Sequence, residues 1–232
     1  MIENLPFYIV IVFVITTLVT VGIFQAAVKR ADFKSKTANI INFSLAFWLI
    51  FQGTLAVGGF YQKTDSLPPR LFAFAIFPAL GAIIALFVFA RSFIEKLDLR
   101  TLTFLSVIRI PVELVLWWLF ENGQVPELMT FEGRNFDIVS GITAPLVAWL
   151  AFRRGTVNRP LLLIWNILCL ILLFIIVSHA ALSLPSPIQQ MAFEQPNRAV
   201  LFFPFIWLPS TIVPIVFFCH LASFWKLRRS QE

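Results

Sequence analysis

Residues 160–182 read PLLLIWNILCLILLFIIVSHAAL, and within them stands no Lys, Arg, Asp or Glu. A helix of that length extends about 35 Å at 1.5 Å per residue, enough to cross a hydrocarbon layer of about 30 Å. Stretches of this kind recur on both sides of it. Apolar residues make up 59% of the 232-residue chain and charged residues only 13%, about half the share of an ordinary soluble domain. The apolar residues gather into seven runs, at 5–28, 38–61, 71–93, 102–120, 136–152, 160–182 and 199–222. Continuous runs point to helices. A membrane barrel would instead show segments of about ten residues with alternating polarity. The expected fold is therefore all-α: a polytopic bundle of seven transmembrane helices, one membrane domain over residues 1–232. The connectors are too short for a separate soluble domain.

Charge orients the bundle. The stretches at 29–36, 91–100, 153–159 and 226–229 hold thirteen Lys and Arg, all on one side if the runs alternate in direction. The other side holds Lys63, Arg70, Arg134 and Arg198. The positive-inside rule then places the N-terminus outside and the C-terminus in the cytoplasm. A bacterial cytoplasmic (inner) membrane is the expected location. The basic residues sit at span ends, where anionic lipid accounts for them and no nucleic acid is required. The first run has acidic Glu3 before it and Lys29-Arg30 after it, so it reads as a retained span and not as a cleaved leader. Cys169 and Cys219 lie inside runs and read as packing residues. No feature of the sequence sets an oligomeric state.

The fourth run carries the ionisable residues. Arg109 and Glu113 are four apart, on one helical face, with Glu113 near the middle of the span. A charge at that depth is costly and marks a functional position by default. The expected arrangement is a buried Arg109–Glu113 pair. Gln52, Asn166, Ser210 and Thr211 fall at similar depths and are candidates to join it as ligand-binding or proton-carrying groups. The seventh run holds Pro204, Pro209 and Pro214. Each removes a backbone donor and frees the carbonyl four positions back, including that of Ser210. Freed carbonyls in lipid need partners from neighbouring helices, hydroxyls or water. A weaker grouping, Asp137 with His179 at the outer rim, contains metal-ligating types. The two connectors at 121–135 and 183–198 are long enough to fold over the outer face as a lid.

Several chemistries are excluded. No Lys lies at mid-membrane for a retinal Schiff base. His179 and His220 fall near opposite surfaces, which is incompatible with a shared haem iron. No GxxxxGK[ST] loop or GxSxG elbow occurs. No cofactor is expected. The leading functional expectation is a membrane-embedded binding or transport protein for a small or anionic ligand, or for a lipid. The alternatives are an intramembrane lipid-modifying enzyme using Glu113, Asp137 and His179, or a structural partner subunit.

Overall fold

The computed structural model describes residues 2–32, 35–153 and 155–229. Lys34 and Arg154, two of the thirteen basic residues expected on the cytoplasmic side, lie outside the described residues. All regular structure among the described residues is helical. Among the described residues six helices are long and apolar enough to cross a membrane: Phe7–Ala31, Lys36–Val57, Phe72–Phe89, Leu99–Glu121, Arg159–Leu182 and Leu208–Arg229.

Helix α1 is Phe7–Ala31 and α2 is Lys36–Val57. Ser35 caps α2, its hydroxyl accepting from the Thr37 N–H. The third long helix is composite. It begins as a π-helical turn over Phe72–Ile76 and continues as α3, Phe77–Phe89. A short α4, Arg91–Lys96, follows. Asp98 caps α5, Leu99–Leu105, by accepting from the Arg100 and Thr101 N–H groups. A 3-10 turn over Ser106–Ile108 joins α5 to α6, Arg109–Glu121. Arg109 therefore stands where the helix changes its winding, two residues before Pro111.

Helix α7, Ile138–Phe152, has only 15 residues, about 22 Å. The apolar run at 136–152 begins inside the bundle, because Asp137 is buried against α6. Helix α8 is Arg159–Leu182, capped by Asn158. The last long helix departs most from regularity. A 3-10 turn spans Ala199–Leu201, turns follow, a π-helical turn spans Leu208–Ile212, and only then does α9 run from Val213 to Arg229.

The two π turns share a design. Each is followed by an α-helix with proline at its second position, Pro78 and Pro214. Each proline leaves a carbonyl without its helical donor, at Phe74 and Ser210. Both carbonyls are served by α2: Gln52 Nε2 donates to Phe74 O at 2.9 Å, and Trp48 Nε1 to Ser210 O at 2.8 Å. Trp48 and Gln52 are one turn apart and so share a face. Trp207 donates back to Leu49 O at 2.9 Å. The π turns also pack against each other. Helix α2, mostly exposed on its other faces, is thus tied to the bundle by side chains that complete broken backbone ladders.

Candidate functional site

The ionisable residues of the interior gather where α6, α7, α8 and α9 meet. Close approach of α6 and α7 is permitted by Gly141. A Cβ there would stand 2.9 Å from Ile110 Cγ1 and 3.1 Å from the Ile110 nitrogen. This contact brings the start of α7 against the start of α6. Arg109 Nη1 then donates to Asp137 Oδ1 at 2.6 Å, a salt bridge with both side chains buried. Arg109 Nη2 lies 3.0 Å from His220 Nε2 on α9. A guanidinium has no lone pair to offer, so the ring accepts at Nε2 and carries its proton on Nδ1. Nδ1 donates to Asn166 Oδ1 at 2.7 Å, and Asn166 Nδ2 donates to Leu162 O at 2.7 Å. Trp165 packs on the His220 ring, centroids 5.6 Å apart. The chain Asp137–Arg109–His220–Asn166 thus links four helices through both Nη groups of Arg109, while its Nε is buried without a partner.

Glu113 belongs to a second arm. Its Oε2 accepts from Asn135 Nδ2 at 2.6 Å. Asn135 also donates to Met129 O and accepts from the Asp137 N–H at 3.0 Å. The connector after α6 therefore descends into the bundle. Glu113 is eight residues from the end of α6, about 12 Å below it, and Asn135 reaches it. The turn that returns the chain depends on Gly133, where a Cβ would lie 2.2 Å from Glu127 O. The connector before Ala199 ties onto this one. Gln195 Nε2 donates to Phe120 O and Val125 O, and the Arg198 and Ala199 N–H groups donate to Gln124 O.

Under these two connectors lies a cavity of about 280 Å³. Its wall is almost wholly apolar, built from the 71–80 stretch, α6, α8 and the 208–217 stretch, with Glu113, Asp137 and Asn197 as its polar members. Leu80 and Phe174 line it and are themselves exposed, Phe174 to 74%. The cavity therefore reaches the flank of the bundle between α3 and α8.

This geometry corrects several expectations. Arg109 and Glu113 are both buried, but the salt bridge of Arg109 is to Asp137 and the hydrogen bond of Glu113 is to Asn135. The guanidinium turns toward the α7 start that Gly141 admits. Gln52 does not join the cluster; it accepts from the Tyr61 hydroxyl and donates to Phe74 O. Ser210 and Thr211 are buried with their hydroxyls 3.3 Å apart, and it is the neighbouring Pro209 and Val213 that line the cavity. Asn166 lies in the cluster as the support of His220. Asp137 is no outer-rim residue but a buried ion-pair partner. No group of three His, Cys, Asp or Glu side chains suited to a metal is found among the described residues, and His179 stands outside the cluster.

Two members escaped sequence reasoning. His220 lies nine residues before Arg229, at the inner level that Asn166 and Arg109 share, and matching those three depths would have found it. Asn135 sits in a connector, where depth along a helix gives no signal.

Residues 68–228 match the model of a family described as a domain of unknown function, DUF8737. The chain belongs to this family. The matched segment contains every residue of the charged cluster and the whole cavity wall, whereas α1 and α2 precede it. No curated protein and no solved structure matches the chain.

Proposed function

We propose that this member of the family is a seven-span membrane protein that binds a lipid-soluble molecule in the cavity beside Glu113, admitting it sideways between α3 and α8. One observation carries the reading: an apolar cavity that opens on the bundle's flank and ends on buried carboxylates. Ligand sites in general combine a largely apolar wall with few, placed polar groups. An anionic ligand fits poorly, since Arg109 does not line the cavity and its two Nη groups are turned to Asp137 and His220. The enzyme alternative loses its acid–base set, because Asp137 is held by Arg109 and His179 lies apart.

The seven-span count is supported by how the connectors tie the helix ends. Asn197 Nδ2 donates to Ala180 O at 3.1 Å and Gln195 Nε2 to Phe120 O at 3.0 Å, so α6 and α8 finish on one side. Helix α8 runs 24 residues back to Arg159, about 36 Å. The chain from 122 to 158 must cover that depth, partly as connector and partly as α7. Irregular backbone is tolerated there where protein surrounds it. With seven crossings the basic ends fall together in the cytoplasm and the N-terminus lies outside, in a bacterial inner membrane. A tag at the N-terminus is expected to react from outside intact cells, and one at the C-terminus only after permeabilisation; the reverse overturns the orientation.

Filling the cavity tests the binding reading. Ala180→Trp places an indole among the lining residues. Full-length protein purified from its membrane is expected to yield an extractable amphiphile by mass spectrometry, reduced by about tenfold or more in Ala180→Trp, which corresponds to a modest 1.4 kcal/mol. Equal recovery from a folded variant, or none from the unaltered protein, overturns the proposal.

A further inference from the structure

The polar atoms that face the cavity are short of donors. Glu113 and Asp137 present carboxylate oxygens. Asn197, 1% exposed, spends its Nδ2 on Ala180 O and keeps a buried Oδ1 with no partner. The cluster's donors do not reach this wall: Arg109 is not among the lining residues, its two Nη groups are turned to Asp137 and His220 and its Nε is buried without a partner, and the Asn135 amide donates to Glu113 and Met129 O. Charge tells the same story. The cluster has one guanidinium against two carboxylates, and the guanidinium is paired with Asp137. The carboxyl of Glu113 faces an apolar space with a neutral amide as its hydrogen-bond partner.

We propose that the cavity selects lipophilic amines, the ammonium group seated against Glu113 and the apolar body extending toward the gap between α3 and α8. This rests on the binding reading above and specifies its ligand class. An ammonium offers three donors and no acceptor, the complement of this wall. It also pairs with the carboxylate form of Glu113, a form that burial heavily penalises when no cation is beside it. At about 30 Å³ per water-sized group, the cavity holds roughly nine such groups, the size of a medium-length alkyl chain.

The test uses the full chain in phosphatidylcholine nanodiscs, with decylamine, decanol and decanoate as probes and empty nanodiscs subtracted. The unaltered protein is expected to bind decylamine about tenfold more tightly than decanol, and decanoate most weakly, a tenfold step being the scale of one modest charge contact. Glu113→Gln removes the charge and keeps the shape; it is expected to abolish the amine-over-alcohol preference while decanol binding persists. The order among probes in the unaltered protein needs no variant and decides the matter if Glu113→Gln does not fold. Decanol binding as tightly as decylamine, decanoate binding most tightly, or a preference that survives Glu113→Gln overturns the inference and leaves the cavity as a binding site. Failure of all three probes to bind overturns both readings.

Discussion

Arg109→Met is expected to destabilise the protein by about 3–5 kcal/mol, the range for removing one partner of a buried ion pair. Two groups lose their partner at once. Asp137 is left as an unpaired buried carboxylate, and His220 Nε2 loses its donor. Methionine preserves most of the side-chain volume, so the cost arises from the stranded polar groups and not from a void. The double variant Arg109→Met, Asp137→Leu removes both charges. It is expected to recover much of the loss, because a buried pair contributes little net stability once its desolvation is counted. Glu113→Leu in place of Asp137→Leu is expected to give no such recovery, since the salt bridge of Arg109 is not to Glu113. Thermal unfolding of the four proteins in one detergent checks this; equal rescue by either partner would refute the assigned pairing.

Gln52→Leu has the second largest expected effect. Its amide serves the Tyr61 hydroxyl and the Phe74 carbonyl that Pro78 leaves open. Loss of a buried partner costs about 1–3 kcal/mol for each group stranded. The Tyr61 share is separable. Adding Tyr61→Phe to Gln52→Leu removes one stranded group, so the double variant is expected to be more stable than Gln52→Leu alone, a coupling that a double-mutant cycle reads directly. A Gln52→Leu protein that unfolds at the unaltered temperature would refute the carbonyl-capping role.

Helical class and the six long apolar helices were legible because hydropathy over twenty residues is a strong, local signal. Arg109 and Glu113 were legible for the complementary reason: charge deep in such a stretch demands an interior position. Their partners were not. Whether Arg109 reaches Glu113 on its own helix or Asp137 on another depends on how closely two helices approach, which is set at Gly141. Gln52 was placed near the midplane by depth alone, yet its rotation about α2 turns it to Phe74. The need of Ser210 O for a donor followed from Pro214; that Trp48 would supply it required knowing which helix lies alongside. The shortness of α7 was legible, since its run at 136–152 is the shortest of the seven; the descent of the preceding connector, which brings Asn135 to Glu113, was not.

The π turn at Leu208–Ile212 also sets the rotational phase of α9. Each i→i+5 ring holds one residue more than an α-helical ring, and one residue is worth about 100° of rotation. His220 lies eight residues beyond Ile212, about 12 Å along the axis, and meets Arg109 only at its present angle. Before the turn, Trp207 faces α2; after it, His220 faces α6. The extra residue acts as a gear tooth between two meshing surfaces. Relaxation of that turn to ordinary α-helical winding would swing the imidazole away from the guanidinium without altering a single side chain of the charged cluster.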